Sequence, residues 1–134
     1  MVTLYRTTDK IEVKIGAISV KVSPLNYEQK SMVNAKLMSG KTDQIMDAIR
    51  LAVKFSLKEI KGVKLSDGSE YQLEFDDKGV KDECLDDISN LDQNAQLSII
   101  CGQLLKGMPN EFINPETGKQ LEGVSIVRKP SGKK

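Results

Sequence analysis

The chain has 134 residues, enough for one domain with a real core, and 39% are hydrophobic, an ordinary share for a globular protein. Three Tyr, three Phe, no Trp and no His make the core aliphatic. They also argue against a base-stacking platform for single-stranded nucleic acid and against His-based triads or metal centres. The formal net charge is +1, but residues 1–64 carry twelve Lys/Arg against six Asp/Glu (+6), residues 65–100 two against ten (−8), and residues 101–134 six against three (+3). Blocks of this kind either neutralise one another inside the fold or steer a partner of mixed charge.

Residues 1–10 have little pattern and read as an N-terminal arm. Ile11, Val13 and Ile15 then alternate with Glu12 and Lys14, and Ile18, Val20 and Val22 with Ser19 and Lys21. Period two on both sides of Gly16-Ala17 predicts a β-hairpin closed by a type II′ turn, with one Ile/Val face to be covered. Ser23-Pro24 ends the second strand. A helix is expected over 26–38, with Tyr27, Met32, Val33, Leu37 and Met38 as its apolar members, and Ser39-Gly40 stops it.

The longest helical pattern covers 42–60, with Thr42 as the expected cap. Asp43 and Asp47 lie early and Lys54, Lys58 and Lys61 late, as the helix dipole favours. Arg50, Lys54, Lys58 and Lys61 follow at spacings of three and four and form one basic stripe. Ile45, Ala48, Ile49, Ala52, Val53 and Leu57, widened by Met46, Leu51, Phe55 and Ile60, give an apolar arc buried from more than one side.

Lys61-Gly62 ends this helix. A second short hairpin is predicted over 63–75 around Asp67-Gly68, followed by a short acidic helix over 80–88 with Cys84, Leu85 and Ile88 inward. Asn90 is the expected cap of a fourth helix over 91–106. Gly107-Met108-Pro109 breaks it, Val124 to Val127 reads as one more strand, and Lys129 to Lys134 as a basic tail.

The chain is therefore expected to be α+β: an N-terminal hairpin packed with about four helices, a short hairpin near 63–75 and an extended C-terminal tail. The expected division is an arm (1–10), one domain (11–106) and an extended segment with the basic tail (107–134).

No phosphate-binding or dinucleotide-binding fingerprint is present. The acidic run Asp76, Asp77, Asp82, Glu83, Asp86 and Asp87 lacks the spacing of a calcium loop and reads as acidic surface. Cys101 sits in the most apolar part of its helix and reads as an inert core thiol. Two Cys, no signal peptide and no membrane-spanning run point to a reducing cytoplasm. No catalytic residue, metal site or cofactor is expected. The partner-binding residues expected are Arg50, Lys54, Lys58 and Lys61 on the stripe, with Asp82 and Asp86 on the acidic helix. Reversing Lys54 and Lys58 to Glu is expected to weaken a partner complex and spare the fold.

The order of elements carries a resemblance. A Val-rich hairpin leads into VSPLNYEQKSMV (22–33), and a long helix runs into AIRLAVKFSLKEIKGVKLSDGSEYQLEF (48–75), with a helical pair after it. Across residues 11–106 this resembles the small tail assembly chaperones and related tail-morphogenesis proteins of long-tailed bacteriophages. In that family a strand ending in a Pro-Leu phrase introduces a helix, and a later helix runs into a Gly-Val and Asp-Gly phrase. Ser23-Pro24-Leu25 and the run from Gly62 to Gly68 stand at those points. The resemblance implies a non-catalytic protein that binds the tape-measure or tube protein, or copies of itself, in the host cell cytoplasm. Such a protein can remain in the virion. No small-molecule substrate and no membrane are expected, and the sparse aromatics argue against nucleic acid. The alternative reading is a small inhibitor, of anti-defence type, that binds a host protein or a nucleic-acid machine.

Overall fold

The computed structural model describes residues 3–127. Strands β1 (Ile11–Ile15) and β2 (Ile18–Val22) pair antiparallel with Ile15 opposite Ile18, so Gly16-Ala17 alone makes the turn. Gly16 has φ +58 and, among the described residues, no non-glycine residue has positive φ, which makes the turn type II′. Ile11, Val13, Ile15, Ile18, Val20 and Val22 are buried on one face. Glu12, Lys14, Ser19 and Lys21 take the other, where Ser19 Oγ donates to Glu12 at 2.8 Å.

Helix α1 (Tyr27–Leu37) starts from a capping box in which Asn26 Oδ1 accepts from the Gln29 N–H at 2.8 Å and Gln29 Oε1 accepts from the Asn26 N–H at 3.0 Å. Its apolar set differs from the expectation. Val33 is buried and Leu37 packs on the core, but Tyr27, Met32 and Met38 are exposed. The helix lies on the outside of its neighbour, where only a narrow strip of it can be covered. Lys36 ties it down through Asp47 at 2.8 Å and Gln44 at 3.2 Å.

Helix α2 (Thr42–Ser56) is the central element, with α1 along one side and later helices along another. Lys41, without a side-chain cap, precedes it, and Thr42 is its first residue rather than its cap. It also stops earlier than the pattern predicts. Residues 57–61 do not continue it: they form strand β3 (Leu57–Lys61), antiparallel to β2, with Val20 opposite Ile60 and a register shift between Lys21 and Val22. No Gly or Pro marks the change. Pairing with β2 buries Leu57 and Ile60 on the sheet's inner face, and that outweighs helix propensity here.

The second hairpin is reduced to one bridge, Lys64 opposite Glu70, around the Asp67-Gly68 turn. Helix α3 (Asp82–Ile88) buries Cys84, Leu85 and Ile88 as expected. Turn bonds Leu91 N to Ile88 O and Asn94 N to Leu91 O carry the chain past Asn90. Helix α4 (Asn94–Gln103) therefore starts later than predicted, with Gln93 and not Asn90 before it, and ends in a 3-10 turn over Leu104–Lys106.

The segment after Gly107 belongs to the domain. Strand β4 (Val124–Ile126) pairs antiparallel with β1, so the sheet order is β3-β2-β1-β4. Phe112, Leu121 and Val124 enter the same core as the hairpin, α2 and α4. Gln103 pins the segment by accepting from the Ile113 N–H at 3.0 Å and donating to the Ile113 carbonyl. The boundary expected at residue 106 is thus moved, because this segment supplies an edge strand and core side chains. The basic tail over 128–134 lies outside the described residues.

Phe112→Ala is expected to cost about 3–5 kcal/mol, read from the urea midpoint. A loss below about 0.5 kcal/mol, the level of a surface substitution, would mean that Phe112 is not a core residue.

Candidate functional site

Helix α2 ends where β3 must begin, so its last three carbonyls lose their helical partners, while Val53 O keeps the Leu57 N–H. Each of the three is supplied from elsewhere. Lys54 O accepts from the Val80 N–H at 3.1 Å, and Ser56 O from the Ser23 N–H at 2.9 Å. Phe55 O accepts from the Lys58 ammonium at 3.0 Å. Lys58 therefore folds back on the helix end and does not extend a stripe. Lys61 stands on β3, exposed, 3.7 Å from Glu59. The predicted line of four basic residues is broken after Lys54.

The other four predicted residues do come together. The Lys54 side chain is 7% exposed. Its ammonium donates to Val80 O at 2.7 Å and to Asp76 at 3.0 Å, with Asp82 at 3.4 Å. Since Lys54 O also accepts from Val80 N–H, the two residues clasp each other from both sides. Gly79 (φ +155) lies so close that a Cβ there would overlap the Lys54 carbonyl oxygen. One turn earlier, Arg50 Nη2 donates to Asp82 O at 3.2 Å and reaches Asp86 at 3.1 Å. The basic block and the acidic block meet here through Arg50 and Lys54.

The charges are tuned by that contact. The hydrogen bond from the Lys54 ammonium, helped by the Lys78 and Gly79 N–H groups, holds the Asp76 carboxyl down at about 2. Burial opposes the charge on Lys54, but Asp76 and Asp82 outweigh it and leave its pKa above the ordinary value. Reversing Lys54 would set a carboxylate against these two acids, so the expectation that this change spares the fold is corrected. Asp76 was not among the expected partners of Lys54, because 22 residues separate them and no spacing rule reaches so far.

Two open cavities flank Arg50. One, about 430 Å³, lies between α2, α3 and α4 and is walled by Met46, Ile49, Val53, Leu85 and Ile88, with Asp43 and Asn94 at its rim. The other, about 440 Å³, lies between Met32 of α1, Arg50 and Lys54 of α2, and the acids of the loop 76–78. Met46 is 64% exposed at the lip of the first. The signal for it was present in the sequence as an apolar arc on α2 wider than one neighbour can cover. Together the cavities can hold apolar side chains of a partner beside a polar, mixed-charge divider.

Other reactive groups are quiet. Both cysteines are buried, and burial pushes the Cys101 thiol up to about 12. Tyr71 donates to Asp87 at 2.9 Å, and burial raises its pKa, with Cys84 and Asp87 adding to the shift. Among the described residues no three His, Cys, Asp or Glu side chains gather as a metal site would require, and no helix is long and apolar enough to cross a membrane. Comparison with protein-family models, curated proteins and solved structures returned no match for this chain.

A depressed carboxyl stabilises the fold fully above its unfolded value and loses that contribution as pH falls through its folded value. For Asp76 the window runs from about 4 down to about 2. Asp76→Asn is expected to lower the melting temperature at pH 7 and to flatten its decline between pH 4 and 2. Parallel melting profiles for the two proteins would remove Asp76 from the clasp.

Proposed function

We propose that this chain is a non-catalytic protein-binding component of tail assembly in a long-tailed bacteriophage, a chaperone of the tape-measure or tube protein or a neighbouring tail or neck component, acting in the host cytoplasm. The observation that carries this reading is the apolar cavity between α2, α3 and α4, open to solvent and lipped by Met46. An amphipathic helix lays side chains at i, i+3, i+4 and i+7 into such a groove. Methionine suits it, because an unbranched, polarizable side chain adapts to many apolar surfaces. That property fits a chaperone that must cover successive stretches of one long helical partner. The resemblance carried by residues 22–33 and 48–75 supports the same reading.

The chemistry of the chain agrees with binding rather than turnover. It contains no His, burial pushes the Cys101 thiol up to about 12, and Asp76, Asp82 and Asp86 are engaged by Lys54 and Arg50.

The test is affinity capture from infected cells with wild-type protein and Met46→Glu side by side. Recovery of a very long helical protein or of tube subunits is expected with wild type. Loss of about tenfold or more is expected with Met46→Glu, which leaves the melting temperature unchanged because Met46 is exposed. Recovery of a nuclease or polymerase complex in place of tail proteins would overturn the assembly role in favour of an inhibitor of such a machine.

A further inference from the structure

A second surface lies on the opposite side of the β3 chain. Strand β3 is an edge of the sheet. The two-residue turn makes Ile15 and Ile18 a hydrogen-bonded pair, so alternation directs the main chain of Ser19 and Lys21 toward β3. Their partners, Lys61 and Glu59, spend their main-chain groups on β2. The N–H and C=O of Ile60, between them, therefore point away from the sheet. Among the described residues no backbone hydrogen bond reaches that outer side.

Across from it runs the extended segment 70–75. Its ends are fixed, with Tyr71 N–H donating to Val63 O at 2.8 Å and Glu74 O accepting from Lys81 N–H at 2.9 Å. Between these anchors Gln72 and Leu73 have no main-chain partner among the described residues, and alternation from Tyr71, whose N–H faces Val63, turns the main chain of Leu73 toward β3 and that of Gln72 away from it. The slot between the two walls measures about 420 Å³. Main-chain donors and acceptors thus line both sides of an open slot in which only water can satisfy them. Phe75, 45% exposed, adds an apolar patch to the far wall.

The slot also has a sign. Lys10, Lys58 and Lys61 line it. Neither Lys10 nor Lys58 has a carboxylate within ion-pair distance among the described residues. Burial, and then the like charge of Lys10, hold Lys58 below its ordinary pKa. Against these cations stand Glu59, already engaged by Lys21 and Lys61, and Glu70. Lysines on a sheet edge repel a second copy of the same edge and favour a strand that brings acids.

We propose that this slot takes an extended acidic segment of a partner protein as an added strand, paired through its main chain with Ile60 on one side and with Leu73 on the other. Alternate side chains of the guest meet Lys10 and Lys58 as carboxylates and Phe75 as apolar groups. Strand addition of this kind draws affinity from the main chain and selectivity from the alternating pockets. It is separate from the helix-binding cavity beside Met46, so one chain would hold a helical and an extended segment at once.

The probes are a blocked nine-residue peptide alternating Glu with Val, its Lys/Val counterpart, and the Glu/Val peptide with Pro at its centre. Each is titrated into the full chain at low salt, with amide exchange followed residue by residue. The Glu/Val peptide is expected to slow exchange of the Ile60 and Leu73 amides, and the other two to leave them unchanged. Lys58→Glu, and Lys58→Gln should the reversal perturb the fold, is expected to weaken the Glu/Val peptide, about tenfold for the reversal and less for the neutral variant. Unchanged Ile60 exchange with the Glu/Val peptide, equal binding of the Lys/Val peptide, or equal binding by both Lys58 variants and wild type would each overturn the proposal. None of these outcomes bears on capture of tail proteins through Met46.

Discussion

The end of α2 is the constraint on which the rest of the molecule depends. A helix that turns straight into a strand leaves its final carbonyls without partners, and each one left unpaired in the interior costs about 1–3 kcal/mol. The partners come from three regions: Ser23 after β2, Val80 before α3, and the lysine that follows the helix itself. Satisfying the helix end therefore assembles the fold around it. The bond from Ser23 sets β2 beside the start of β3, and the bond from Val80 draws in the loop that carries α3. Lys54 strengthens the second by returning its ammonium to Val80 O.

This accounting changes what the lysines mean. In sequence, Arg50, Lys54, Lys58 and Lys61 have the spacing of one solvated helical face. In the fold they have four different tasks. Arg50 bridges to α3, Lys54 is buried in the clasp, Lys58 covers a carbonyl, and Lys61 lies exposed on β3. One of the four, Lys58, caps a helix end that the pattern did not reveal. The surfaces that remain open lie beside these residues: the Met46 cavity on one side of α2, and the slot along β3 on the other side of the sheet edge.

The parts of the structure legible in the sequence are those decided locally. The hairpin was readable because strict alternation and Gly16 agree with one turn type. The inward set of α3 was readable from its spacing, and Val124 to Ile126 from its β-branched run. The stop after Ser56 was not, because Phe55 to Lys61 continues a plausible helical pattern and only the ladder to β2 makes the strand preferable. The membership of Phe112 in the core was hidden for the same reason: its neighbours in sequence are turn residues, and its contacts are made by elements far away in the chain. Of the candidate site, the meeting of Arg50 and Lys54 with α3 was foreshadowed by opposite charge blocks, whereas Asp76 and Gly79 gain their roles only from tertiary placement.

The most direct test of this account is the exchange rate of the Val80 amide in the free protein. Val80 lies in a segment that is neither helix nor strand, yet it is fully buried and donates to Lys54 O. If the helix end organises the fold, this amide exchanges only through global unfolding, as slowly as the β1–β2 ladder. Exchange at the rate of an open loop would mean that the clasp is not closed in solution, and that the end of α2 is satisfied by water instead.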